Sequence, residues 1–241
     1  MSDYFTFDGV QSTTWLARVF PTDSMLKAPA RNYNTVIVPG RSGALLMDLK
    51  SYDNIAREYD VQIVGDSGLA QFTALRNFLA SRSGYRQLTD TFDTGHFYMA
   101  AYMEPFDLTA DLHSLKRGRG TITFDCKPQR YLTTGTTEIT LTTDGTITNP
   151  TRFASRPLIK VTTSTADAVT LGVGSTNIVI TYSGTITIDC ETGRAYNGST
   201  SLDSRISLNT IDFPTLAPGN TGIVLGTGIT RVKITPRWWE L

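Results

Sequence analysis

The sequence has little of what acid–base catalysis and metal binding most often use. Its 241 residues include two histidines and two cysteines. His96 and His113 are seventeen positions apart, and neither belongs to an HxH, HExxH or His/Cys set. A GxSxG nucleophile elbow is also missing. Cys126 and Cys190 each end an alternating apolar run: Ile122, Phe124, Cys126 in one and Ile186, Ile188, Cys190 in the other. That pattern predicts two buried free thiols in a reducing compartment, because a free cysteine packs like a small hydrophobe. Neither cysteine has a second cysteine or a histidine at ligand spacing. No metal, no cofactor and no enzymatic activity are expected.

Charge of either sign is also not in excess. Lys plus Arg is 22, Asp plus Glu is 22, and the formal net charge is zero. A neutral chain has no long-range attraction for nucleic acid or an anionic membrane, and little repulsion against copies of itself. No apolar run approaches the ~20 residues of a membrane span, so no membrane insertion is expected. The N-terminus is not basic-then-apolar, and a secretory signal peptide is not expected.

What the chain does have is threonine, glycine and short apolar alternations, the composition of β structure. Tyr4 to Gly9 reads as a strand ending in an Asp-Gly turn, and Trp15 to Phe20 as a second strand broken by Pro21. Only Gly68 to Ser83 has helical periodicity, with Leu69, Phe72, Leu75 and Leu79 on one stripe and Phe78 beside it. Asp66 or Ser67 is placed to cap its start and Gly84 to end it. His96 to Met103 has large groups on both faces, as a central or interface strand does. Arg119 to Cys126 alternates cleanly and is expected to stop at Pro128, before Arg130-Tyr131-Leu132. From Leu158 onward, eight short β runs separated by turn residues have the spacing of an antiparallel sandwich. The expectation is a mainly β chain with one helix: an N-terminal β domain over 1–133, a crossover over 134–156, and a β-sandwich over 157–241.

The most unusual stretch lies between Val36 and Ile63. An apolar strand (Val36, Ile37, Val38) runs into the Pro39-Gly40 turn signal, and Gly43 follows Arg41. Ala44, Leu45, Leu46 and Met47 come next, too apolar for an ordinary surface loop. The return strand puts Tyr59, Val61 and Ile63 on one face and Glu58, Asp60 and Gln62 on the other. Such an arm needs cover, from its own core or from a neighbouring subunit. Pro39, Gly40, Arg41, Gly43, Leu45, Leu46 and Met47 are the candidate inter-subunit contacts.

Other candidate chemistry is thinner. Asp189 and Glu191 share a face at a strand end and could serve as a glycosidase pair or hold Ca²⁺, but their context reads as a Thr192-Gly193 hairpin turn. Lys116-Arg117-Gly118-Arg119-Gly120 could meet phosphate, yet reads as a solvated loop or an inter-subunit ion-pair site. His96 reads as a packed histidine with no orienting partner. Gly222 to Gly228 lacks the helix and Lys-Ser/Thr pair of a phosphate loop and reads as a turn. Trp238 and Trp239 are candidate exposed aromatic contacts, through packing or as a sugar platform.

Three groups of residues resemble the distal tail protein family of long, non-contractile-tailed bacteriophages. The first is Val38-Pro39-Gly40-Arg41-Ser42-Gly43-Ala44-Leu45-Leu46 followed by Tyr59-Asp60-Val61. The second is Thr121 to Pro128. The third combines Arg156 to Val161, Ile188 to Tyr196, Phe213-Pro214, Leu216 to Gly219 and Ile234 to Leu241. The resemblance implies a tail-tube-like N-terminal domain that forms a homohexameric ring and a galectin-like C-terminal sandwich. It implies a virion protein at the distal end of the tail, between the tail tube protein and the hub or tail-associated protein, with a receptor-binding protein nearby. Genomic DNA would pass through the ring without specific binding. A neutral chain suits that conduit, because a Lys/Arg-lined lumen would bind phosphate and slow passage. The competing reading is a carbohydrate-binding module contacting host cell-wall glycans; a hydrolase using Asp189 and Glu191 is a third.

Overall fold

A computed structural model describes residues 3–65, 68–104, 109–110 and 117–241. The chain divides into two units, Met1–Arg130 with Leu241, and Tyr131–Glu240. Each has its own apolar core. No helix among the described residues is long and apolar enough to cross a membrane.

The first unit holds β1 (Phe5–Phe7), β2 (Val10–Gln11), β3 (Ala17–Pro21), β4 (Arg31–Ile37), β5 (Ala44–Tyr52), β6 (Ile55–Val64), α1 (Gly68–Ala80), β7 (Arg86–Asp90), β8 (His96–Tyr102), β9 (Thr109–Ala110) and the start of β10 (Arg117–Leu132). Its main sheet runs β2-β1-β7-β8-β10-β6-β3, with β9 also on β10. Asp8 and Gly9 both take positive φ (49° and 79°) between β1 and β2, as a two-residue hairpin turn of this hand requires. Alternation in β6 buries Tyr59, Val61 and Ile63, and β10 buries Ile122, Phe124 and Cys126 beside them. Phe124 is packed by Phe7 (centroids 4.9 Å apart) and Phe5 (5.5 Å). Helix α1 covers this core with Leu75 and Leu79.

Several local expectations change. Trp15 belongs to a 3-10 turn, Ser12–Trp15, where it packs 4.8 Å from Phe78. Pro21 is inside β3 because β3 is an edge strand, which needs no donor on its outer side. Helix α1 stops at Ala80, and Leu69 is 55% exposed, so the buried stripe begins at Phe72. Met103 lies beyond the end of β8 and is 71% exposed. The strand ending in Cys126 does not stop at Pro128 but continues to Leu132. Its ladder with β6 already ends at Cys126, so Pro128 removes no donor on that side. The expected caps Asp66 and Ser67 lie outside the described residues.

The second unit comprises β11 (Ile139–Leu141), β12 (Gly145–Asn149), β13 (Leu158–Thr163), β14 (Val169–Val173), β15 (Thr176–Ile180), β16 (Gly184–Asp189), β17 (Arg194–Asn197), β18 (Thr200–Ser201), β19 (Ile206–Leu208), β20 (Gly219–Leu225), β21 (Ile229–Thr235) and β22 (Trp239–Glu240). One sheet has the order β11-β21-β13-β16-β17-β18 and the other β12-β20-β14-β15-β19. Alternate residues meet between them: Ile159, Val161, Ile186, Ile188, Val232 and Ile234 from one sheet, and Ile147, Leu171, Val173, Ile178, Ile180 and Ile223 from the other. Residues 134–156 carry β11 and β12, which pair with β21 and β20. Their few apolar residues hide this in the sequence, because each strand is an edge with only one neighbour.

Candidate assembly surface

The apolar excursion is a β-hairpin. The stretch expected to connect two strands is itself β5, folded back on β4 with Thr35 opposite Leu46, Val36 opposite Leu45 and Ile37 opposite Ala44. Gly40 and Gly43 take φ of +80° and +82° in the tip, and Arg41 N–H donates to Val38 O at 3.2 Å. Directly paired residues share a face. One face therefore carries Tyr33, Thr35, Ile37, Ala44 and Leu46, and the other Asn34, Val36, Leu45 and Met47. Both faces are apolar and both are open: Ile37 is 82% exposed, Leu46 62%, Met47 52% and Leu45 43%. The chain's own core does not cover them.

The hairpin is shaped by a bulge. Arg31 pairs with Tyr52 and Tyr33 with Asp48, leaving Leu49, Lys50 and Ser51 opposite Asn32. Lys50 has φ +54°, and its N–H donates to Asp48 Oδ1 at 2.9 Å. The same carboxylate receives Arg31 through Nη2–H on Oδ2 and Nε–H on Oδ1. This hydrogen bond and the Arg31 charge hold the Asp48 carboxyl below its ordinary range. At the base, Asp53 N–H donates to Ala30 O (2.9 Å), and Asn54 Nδ2 donates to Asp125 Oδ2 (2.7 Å) and Tyr85 Oη (2.6 Å). Nothing in the sequence signals this clasp, because Asp48 and Arg31 are far apart along the chain.

The remaining candidates are placed as follows. His96 does have a partner: its Nδ1 is 2.8 Å from Asp93 Oδ1, while Tyr98 Oη–H donates to Asp93 Oδ2 at 3.0 Å. His113 and Lys116 lie outside the described residues; Arg117 to Gly120 form the start of β10 rather than a loop. Asp189 and Glu191 are bridged by Arg237, at 2.6 Å and 3.4 Å. Burial works against the Asp189 carboxylate, but the Arg237 hydrogen bond and charge outweigh it and hold its pKa below the ordinary value. Gly222 to Leu225 belong to β20, and only Gly226 to Gly228 form the turn. Trp238 is buried at 5% exposure, and Trp239 stacks on Phe153 (4.5 Å, 24°) and donates from Nε1 to Ala154 O. Neither indole is an open platform. Among the described residues no three His, Cys, Asp or Glu side chains are grouped to hold a metal ion.

One polar group escaped the sequence reading. Arg57 lies two residues before Tyr59 on the buried face of β6, and its guanidinium donates to Asp90 Oδ2 at 2.7 and 2.9 Å. Tyr59 Oη–H donates to the same oxygen at 2.6 Å, and Phe92 and Asp93 N–H donate to Oδ1. Burial opposes the Arg57 charge, but Tyr59, Asp90 and Tyr98 hold its pKa above the ordinary value. The period of two already put Arg57 in the apolar stripe, where a buried guanidinium needs a buried carboxylate.

No protein-family model matches the chain, and no curated protein matches it in sequence. Solved structures do. The chain is similar to the SPP1 Dit (gp 19.1) protein, described as a paradigm of the hub adsorption apparatus in Gram-positive infecting phages. The TM-score is 0.71 at 19% identity, over 100% of both chains. It is also similar to chains of the phage P2 baseplate in its activated conformation with Ca or with Sr, with TM-score 0.57 and 13% identity, over 97% of this chain and 98% of theirs. At these identities the likeness establishes a shared fold, that of phage hub and baseplate proteins.

Proposed function

We propose that this chain is a structural virion protein of a bacteriophage tail tip. It forms a homohexameric ring that joins the tail tube to the hub and host-adsorption baseplate and leaves a channel for DNA. The observation that carries this reading is the full-length match to the SPP1 hub protein, which spans both units rather than one common domain. The exposed β4–β5 hairpin supports it. A ring closes by a heterologous contact, one patch against a different patch, and an arm apolar on both faces supplies one such patch. Pro39, Gly40, Arg41, Gly43, Leu45, Leu46 and Met47 would sit in that contact. The tube protein, the hub protein and a receptor-binding protein are the other partners, and the protein has no catalytic role. Native mass measurement and negative-stain imaging of the purified chain should show six copies in a closed ring, formed alone or on adding the tube and hub proteins. A chain that stays monomeric with both partners present would overturn the proposal.

A further inference from the structure

One end of the sandwich opens into a cleft of about 640 Å³. Its walls are the β14–β15 turn, the loop 209–218 and the start of β20. Three hydrogen bonds fix the near end of that loop. Asn177 N–H donates to Asn209 Oδ1 (2.7 Å), Asn209 N–H donates to Asn177 O (3.2 Å), and Asn209 Nδ2 donates to Ser175 O (3.4 Å). The far end is pinned by Asn149 Nδ2 donating to Leu216 O (2.9 Å) and by the Ser155–Leu216 bridge. The cleft is therefore preformed, as ligand sites usually are.

Its lining is rich in hydroxyl groups, and among the described residues it has no lysine or arginine. Thr176 and Thr221 occupy core-facing positions of β15 and β20, at 8% and 5% exposure. Neither hydroxyl has a hydrogen-bond partner among the described residues. Neither oxygen is sealed off from solvent, so both hydroxyls open onto the cleft they line and are available to a ligand. Asn220 gives its Oδ1 to Thr148 (2.7 Å) and keeps both amide N–H donors available. Asp212 adds an acceptor carboxylate, and Phe213 adds an apolar ring.

We infer that this cleft binds a neutral saccharide unit. Hydroxyls that donate and accept, one amide donor, one carboxylate and one ring match the alternating O–H and C–H surfaces of a sugar. The absence of a basic lining residue disfavours phosphate or an acidic sugar. The site is separate from Trp238 and Trp239 and does not require a ring. Rings that bind no sugar would leave the proposed function standing, and a sugar-binding monomer would leave this inference standing.

The test is saturation-transfer NMR and calorimetry on the full chain with glucose, galactose and N-acetylglucosamine at millimolar concentration. At least one should bind. Because neither threonine hydroxyl has a protein partner among the described residues, Thr176→Val and Thr221→Val should fold normally, and each should weaken binding about fivefold or more. Asp212→Asn, at an exposed position, provides a second variant that cannot fail through misfolding of the core, and it should weaken binding too. No binding by any of the three sugars, or binding unchanged in both Asp212→Asn and the folded threonine variants, would overturn the inference.

Discussion

At the residue scale, Arg57 and Asp90 form a buried ion pair in the first unit. Its side chains are 3% and 0% exposed. Removing one partner leaves a buried charge without its counter-ion, so Arg57→Met or Asp90→Ala should cost about 3–5 kcal/mol in chemical unfolding. The Asp189–Arg237 pair is shallower, with side chains 12% and 25% exposed. Asp189→Asn should cost about 1 kcal/mol at neutral pH, given the partial solvent screening. The folded pKa of Asp189 is depressed, so the stability it adds is present above the unfolded value, about 3.9, and is lost as pH falls through the folded one. The difference between wild type and Asp189→Asn should therefore shrink in acid, and a gap that stays constant down to acid unfolding would contradict this account. Burial pushes the Cys126 and Cys190 thiols up to about 12. A thiol reagent should label neither in the native chain and both after denaturation. The sequence pointed to both thiols through period-two alternation. It did not reveal the partners of Arg57 or His96, because Asp90 and Asp93 come close only once β7 and β8 are paired.

At the element scale, most strands from β13 to β21 were readable as alternations bounded by turn residues. The arm was only half readable. Its apolar character is in the sequence, but the run from Ala44 to Tyr52 has no clear polar face, so periodicity did not mark it as a strand. Both of its faces are open in the chain, and replacing Leu45 and Leu46 by Asp should leave the melting temperature of the monomer nearly unchanged while abolishing assembly, since a contact would then bury unpaired carboxylates. Light scattering with a thermal melt separates the two effects. Asp48→Ala should free the bulge: amide exchange in 33–47 should speed up with no change in global unfolding, because the Arg31 clasp is exposed. Gly135 illustrates a different constraint. A Cβ there would lie 2.4 Å from Trp238 N, in the place where Leu132 N–H donates to Trp238 O and Arg237 N–H donates to Gly135 O. Gly135→Ala should loosen the C-terminal segment and lower stability by about 1–3 kcal/mol, measured by unfolding followed through Trp fluorescence.

At the scale of the whole molecule, the chain has two cores, and its division falls inside β10, between Arg130 and Tyr131. Composition placed the change of domain in the threonine-rich segment that follows. That segment is instead spent on β11 and β12, edge strands of the sandwich whose small polar residues resemble a linker. Under the proposed self-assembly, the two-faced hairpin also makes the protein's behaviour a matter of mass action. A dilute chain keeps Ile37, Leu46 and Met47 in water, whereas a concentrated one can trade that solvent for a neighbour. Anything bound only by the folded chain raises its apparent stability with concentration. The midpoint of thermal unfolding should therefore rise as the protein is concentrated, and the hairpin tip should be the segment whose amides gain most protection.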